Sequence, residues 1–308
     1  MDTLWLAAPP AALGISALAH AYFAGATRRR FPPQGVFVNA DGARLHVVRH
    51  GTGGPVMLIH GASASHHDFD AAAPEVSLLR ELARDHDTMA IDRPGHGHSG
   101  RAPGALDLAA NSRAVLGVLV ALQAPPAVLV GHSYGALVAL RAALDAPEHV
   151  RAVVAVAPAF VTDARNTRWS RLAALGPLAL LGTWTLPLVL RATVAPRVRR
   201  DAWYPATPPS GWSASRAFPF TPAQMRATSE NMRHLPADVA RLHADLPGLR
   251  VPLTVLAAAD DRITPWREHA GAMHAAVAGS RLVVVPGTGH WLFRQEPGLV
   301  AAEVRDLA

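Results

Sequence analysis

A serine stands between two glycines in Gly131-His132-Ser133-Tyr134-Gly135. The apolar run Val128-Leu129-Val130 leads into this stretch, and a helical pattern from Ala136 to Ala146 leaves it. Strand, sharp turn and helix, with serine at the apex, lift a hydroxyl clear of the backbone. A turn this tight holds its apical residue at a strained backbone angle. A side chain at either flanking position would strike the adjoining strand or helix, so Gly131 and Gly135 are glycine. The turn also aims the first free N–H groups of the helix at whatever binds there. A serine hydroxyl becomes a nucleophile when a base takes its proton, and the base expected is a histidine oriented by a carboxylate. Both occur late in the chain. Asp260-Asp261-Arg262-Ile263-Thr264-Pro265 follows the apolar run Leu253 to Ala257, and Gly289-His290-Trp291 follows Leu282 to Val285.

These residues need a scaffold that brings three distant loops to one edge. Short apolar runs recur at Val36 to Val38, Leu45 to Val48, Pro55 to Ile59, Thr88 to Ile91, Ala127 to Val130, Ala152 to Val156, Leu253 to Ala257 and Leu282 to Val285. Helical patterns lie between them: Val76 to Arg84, Leu106 to Leu122, Ala136 to Ala146, Arg267 to Val277 and Pro297 to Leu307. Continuous apolar strands alternating with helices predict an α/β fold, with a mostly parallel sheet covered on both faces. Asp41-Gly42, between the first two runs, is a hairpin signal. The serine, the Asp pair and His290 all follow C-terminal ends of expected parallel strands, the edge where open α/β sheets build their sites.

With serine, acid and histidine in that chain order, the sequence resembles the α/β-hydrolase superfamily of serine hydrolases over roughly Val36 to Leu307. Further motifs carry the resemblance. His60-Gly61-Ala62 looks like the family's oxyanion loop, and Asp92-Arg93-Pro94-Gly95-His96-Gly97-His98-Ser99 looks like its D-x-P-G-x-G-x-S loop. The resemblance implies a triad of Ser133, Asp261 and His290. It selects Asp261 because Ala258 to Pro265 fits the family pattern G-x-x-D-x-x-x-P, with Ala258 replacing the glycine. Asp260 is then a loop or capping carboxylate. The N–H groups of Ala62 and Tyr134 are the implied oxyanion donors. His132 is implied to pack. Asp92 and Arg93 themselves read as residues that fix their loop by ion pairing. Epoxide hydrolases and haloalkane dehalogenases share the fold but place Asp at the apex, so Ser133 argues against both. Esters are the expected substrates. Thioesters, amides, carbon–carbon bonds and cofactor-free perhydrolysis use the same triad. A non-enzymatic member acting as receptor or scaffold would have lost a triad residue, and none is missing.

Composition narrows the classes. The 308 residues carry a net charge of +6 and half are hydrophobic, enough for one large α/β domain with an insertion. Every basic residue other than histidine is arginine, which lifts the pI to 10.9 without a lysine-rich binding surface. The arginines are scattered apart from Arg28 to Arg30 and Arg197 to Arg200, and no nucleic-acid-binding motif accompanies them, so nucleic acid is not an expected partner. The absence of cysteine excludes disulfides and thiolate chemistry. The 16 histidines include His96-Gly97-His98 and His66-His67-Asp68, fragments of metal motifs. A dinuclear zinc hydrolase would need the fuller H-x-H-x-D-H, and Gly100 stands where its Asp would be. They read as polar loop residues, so neither metal nor cofactor is expected.

Two segments fall outside the alternation. Residues 4–26 carry no charged side chain and are followed by Arg28-Arg29-Arg30. As a helix they reach ~34 Å against a hydrocarbon core of ~30 Å. Residues 1–33 are therefore expected to be a retained membrane anchor, with the catalytic domain cytoplasmic. A cleaved signal, or a helix packed on the domain, are the rivals. Residues 160–249, rich in Pro, Trp and Arg, are expected to form a helical lid between core segments 34–159 and 250–308. Leu172 to Leu190 carries no charge and is flanked by Arg168, Arg171, Arg191 and Arg197 to Arg200. Gly176-Pro177 and Pro187 argue for two short apolar helices rather than a span. With Trp203-Tyr204, Trp212 and Phe218-Pro219-Phe220, such a lid predicts an apolar pocket wall, apolar acyl substrates and contact with a membrane surface.

Overall fold

Asp41 and Gly42 both take positive φ, 46° and 72°, the conformation of a two-residue hairpin turn. They join β1 (Val36–Ala40) to β2 (Ala43–His50) in a computed structural model that describes residues 4–70, 77–161, 195–209, 218 and 221–308. Six more strands follow: β3 (Gly54–Ile59), β4 (His86–Ile91), β5 (Ala127–His132), β6 (Val150–Val156), β7 (Leu253–Ala258) and β8 (Arg281–Val285). They form one eight-stranded sheet in the order β1-β2-β4-β3-β5-β6-β7-β8. β2 is antiparallel to β1 and β4, and β3 to β8 run parallel. The fold is that of an α/β hydrolase.

Alternate residues of each central strand face opposite cores. Met57, Ile59, Leu129, Val153 and Val255 face one, closed by α3 (Leu108–Ala121) and α4 (Tyr134–Asp145). Val56, Leu58, Val130, Val154 and Leu256 face the other. That side is closed by α2 (Leu78–Leu82) and by helices at the chain's end. With both faces covered, the strands are apolar throughout, as parallel strands must be.

The apolar run Leu172 to Leu190, with Arg168, Arg171, Arg191, Trp212 and Pro219-Phe220, lies outside the described residues. The described part of the insertion is bound to the body. It contains α5 (Ala195–Trp203) and α6 (Pro222–Asp245). Along α6, Ala227, Leu235, Val239 and Leu242 fall on one buried face. Leu235, Val239 and Leu242 belong to the same core as β5 and α4. Three polar residues share that face, and each is satisfied. Gln224 accepts from the Gly97 N–H and donates to Ala64 O, at 2.9 and 3.0 Å. Asn231 donates to Leu106 O, and Asp238 accepts from the Leu108 N–H. These stitches make α6 a wall of the hydrolase body, although its sequence lies within the expected lid. Trp203 and Phe218, expected to add aromatic lid surface, are buried.

The N-terminal segment forms one helix, α1 (Leu4–Arg30), through Pro9-Pro10. Among the described residues no helix is long and apolar enough to cross a membrane. The expected anchor is corrected on that ground, and the rival reading of a helix packed on the domain stands. His20 and Thr27 are buried, α1 packs against α6, and Phe31 at its end lies edge-on to His67 at 6.1 Å.

Leu242 is fully buried in the main core. Replacing it with alanine should destabilise the whole domain by about 2–5 kcal/mol. Chemical denaturation of Leu242→Ala checks this. A detachable α6 would leave the main transition within about 0.5 kcal/mol of the unsubstituted protein.

Candidate active site

Ser133 has φ 54° and ψ −116°, a backbone state that L-residues avoid. The neighbours leave no way to relax it. A Cβ built on Gly131 would lie 2.3 Å from Gly135 O, and one on Gly135 would lie 2.1 Å from Ile59 O. The Ser133 N–H donates to Val156 O of β6 at 2.9 Å, fixing the turn from below. Tyr134 is the first residue of α4, so its N–H has no intrahelical acceptor. The loop after β3 passes close by, and a Cβ on Gly61 would sit 3.1 Å from Ser133 Cβ. Half-buried Ala62 follows it.

The structure brings Asp261 and His290 together. Nδ1 of His290 lies 2.8 Å from Asp261 Oδ2. The other oxygen, Oδ1, accepts from the N–H groups of Ile263 and Thr264 at 2.7 and 2.8 Å. Thr264 Oγ1 donates to Oδ2 at 2.9 Å and stands 3.1 Å from His290 Nδ1. Burial alone would raise the Asp261 carboxyl, but its contact with His290 and these hydrogen bonds hold it below the usual carboxylate range. A carboxylate only accepts, so the proton between the two belongs to Nδ1. This leaves Nε2 of a neutral His290 as the basic nitrogen. Asp260 accepts from the Gly287 N–H at 3.1 Å and ties the histidine loop to β7. Thr264 was not singled out from sequence, although it lies inside the D-x-x-x-P pattern.

His132 does more than pack. Its Nε2 donates to His290 O at 3.0 Å, while its ring lies 4.7 Å from the His290 ring and 4.6 Å from Phe293. The insertion also holds the histidine loop. Trp291 N–H donates to Ala202 O, Gln295 Nε2 donates to Trp203 O, and Gln295 Oε1 accepts from the Gly289 N–H.

Of the two residues expected to fix their loop by ion pairing, Asp92 does so through His46 and His66, and Arg93 does not. The Asp92 carboxylate accepts from the backbone N–H of His66 and His98, and lies 3.0 Å from Nδ1 of both His46 and His66. His46, His66 and Asp92 are the group among the described residues whose spacing suits a metal, yet both Nδ1 atoms are engaged with the carboxylate. Arg93 is fully buried and makes no ion pair among the described residues. Its Nε and Nη2 donate to His60 O and Gly61 O at 3.0 and 2.9 Å, and Nη1 donates to Asn111 and Asn231.

Comparison with known proteins agrees with this fold. The profile of the alpha/beta hydrolase family matches residues 56–303. The proposed carbamate hydrolase RutD of Variovorax paradoxus is 34% identical over 235 residues, 72% of this chain and 80% of that protein. An alpha/beta hydrolase fold protein from Burkholderia ambifaria superposes with a TM-score of 0.73 at 23% identity, over 88% of this chain and 97% of that one. An esterase from Exiguobacterium antarcticum gives 0.67 at 20% identity, over 89% and 98%.

Several buried histidines near the site resist protonation. Burial holds His60, His96 and His132 well below the usual imidazole range, aided by Arg93 at the first two and His290 at the third. Burial also lowers His67 to about 2 and His98 to about 4. In the unfolded chain all five take up protons near pH 6.5. Folding is therefore favoured above that pH and disfavoured as pH falls, by up to about 1.4 kcal/mol per pH unit for each fully buried histidine. Asp68, raised to about 7 by burial, opposes this, because its folded carboxyl keeps a proton that the unfolded one releases. With five groups against one, Tm should fall clearly between pH 7.5 and 5.5. A melting curve unchanged over that range would contradict the burial of these rings as neutral groups.

Proposed function

The chain belongs to the alpha/beta hydrolase family, and from that premise we propose that it is a serine hydrolase cleaving carboxylic esters of apolar acids. The observation that carries the reading is the 2.8 Å contact of Asp261 with His290, in a chain whose Ser133 is held at φ 54°. His290 Nε2 takes the Ser133 proton as Oγ attacks the acyl carbonyl. Asp261 stabilises the imidazolium that results. The N–H groups of Ala62 and Tyr134 receive the developing oxyanion, each such donor typically being worth ~10²–10³ in rate. His290 returns the proton to the departing alcohol. Water then enters and attacks the acyl carbonyl as His290 takes its proton, and His290 passes that proton to the departing Ser133 Oγ as the acid is released.

Ser133→Ala should lower kcat by on the order of 10⁶ with substrate binding largely intact. A fluorophosphonate probe should label the unsubstituted protein and fail on Ser133→Ala. A folded protein that resists the probe would favour the non-catalytic class, and a Ser133→Ala protein keeping a tenth of the turnover would sink the assignment. The panel of substrates should include a carbamate, since the name of the Variovorax relative points to that bond.

Support for apolar acyl groups comes from the charge-free run Leu172 to Leu190 in the insertion. Each CH₂ of an acyl chain buried in the transition state contributes up to ~0.8 kcal/mol, about fourfold in kcat/KM. Nitrophenyl esters of increasing chain length should show kcat/KM rising from acetate to medium chains. A monotonic fall from acetate onward would remove the acyl preference and leave the triad untouched.

A further inference from the structure

Arg93 is a fully buried cation whose direct hydrogen-bond partners are all neutral. Its guanidinium donates to His60 O at 3.0 Å, Gly61 O at 2.9 Å, Asn111 Oδ1 at 2.6 Å and Asn231 Oδ1 at 3.0 Å. It also lies 4.8 Å from the Tyr134 ring centroid. Burying a charge is costly unless it is well hydrogen-bonded, and a carboxylate is its usual companion. Here backbone carbonyls, two amides and an aromatic face take that place, and no carboxylate among the described residues touches the guanidinium. Burial lowers the Arg93 pKa only to about 10, which leaves the group charged at neutral pH.

Its position gives that charge a use. The Arg93 backbone N–H donates to His60 Nε2 at 3.0 Å. Nε2 is therefore the acceptor, and Nδ1 carries the ring proton. Nδ1 in turn donates to Gly61 O at 2.8 Å. The Gly61 carbonyl thus accepts two hydrogen bonds, one from the guanidinium. That carbonyl and the Ala62 N–H belong to one planar peptide unit, so fixing the direction of the C=O fixes the N–H on its other side. Hydrogen bonding at the oxygen also polarises the unit and strengthens the N–H as a donor. The guanidinium meanwhile faces the ring of Tyr134, the residue that carries the second implied donor.

We propose that Arg93 is the positioning residue of the oxyanion hole. Through Gly61 O it aligns and polarises the Ala62 N–H, and its charge, with no carboxylate in contact, favours the anionic intermediate over the neutral ester. Asn231 on α6 and Asn111 on α3 hold the guanidinium from behind, so part of the insertion braces the hole without touching substrate. This inference rests on the serine-hydrolase reading.

The test compares Arg93→Met, which removes fork and charge, with Arg93→Lys, which keeps the charge and loses the fork. Folding is checked by melting temperature. Each is measured by the rate of fluorophosphonate labelling at Ser133, by kcat and KM on a nitrophenyl ester, and by Ki for a trifluoromethyl ketone, which forms a tetrahedral adduct. Losing a whole oxyanion donor costs ~10²–10³ in rate, so a misaligned one should cost on the order of 10–10². The expectation for Arg93→Met is labelling, kcat and Ki all worse by about that factor, with KM within about twofold, and a smaller loss for Arg93→Lys. A merely structural Arg93 would lower the melting temperature and leave these four constants unchanged in the folded fraction, which would overturn the proposal. Should Arg93→Met fail to fold, Arg93→Lys decides alone, and labelling at the unsubstituted rate overturns the proposal there too. Should the unsubstituted protein itself resist the probe, the serine-hydrolase reading fails first and this inference with it.

Discussion

The closeness of α4 to β3 is the constraint on which the site depends. Gly135 meets the last carbonyl of β3 so tightly that a methyl group would sit 2.1 Å from it. This approach forces Ser133 to turn from strand to helix within one residue, and the turn needs φ 54°. The cost is carried by the sheet and helix on either side, whose residues from Val128 to Ala143 are nearly all buried. Strain of this kind persists only where the surroundings over-determine the backbone. The register follows from the same contact. Ile59 pairs with Gly131, so the loop after β3 emerges directly beside the apical serine.

Around that turn the polar groups sort by charge. An anion, Asp261, lies behind His290, and a cation, Arg93, lies behind the His60–Gly61 loop. Between them the buried imidazoles of His60 and His132 are held neutral by desolvation. Each has its tautomer fixed by a partner that only donates or only accepts. Charge separation of this sort is stable in a low-dielectric interior because every charged atom on the path is hydrogen-bonded.

The segments outside the central α/β alternation support this arrangement from several sides. The end of α5 grips the histidine loop through Ala202 and Trp203. α6 reaches the serine side through Gln224 and Asn231. The α6 contacts join chain segments more than a hundred residues apart. They convert what would be a lid in the linear order into part of the frame.

The sequence by itself determined the strands, the elbow and the chemistry-bearing residues. Those features are local: continuous apolar runs, glycines at Gly131 and Gly135, Asp41-Gly42 at a hairpin, and His290 after the last strand. Asp261 was separable from Asp260 by the family pattern, and the structure gives the physical reason, since Asp261 faces His290 while Asp260 faces the Gly287 N–H. Tertiary structure alone decided the rest. α6 hides its buried face behind Gln224, Asn231 and Asp238, polar residues whose burial is tolerable only because distant backbone groups meet them. Arg93 reads as an ion-pairing loop residue in the linear chain, because nothing local shows that its partners are carbonyls and amides from distant segments. The N-terminal helix reads as a membrane span by composition, and its packing against α6 becomes visible only when the chain is folded. In each case the deciding energy comes from a partner far away in sequence, and no local pattern of side chains encodes which one it is.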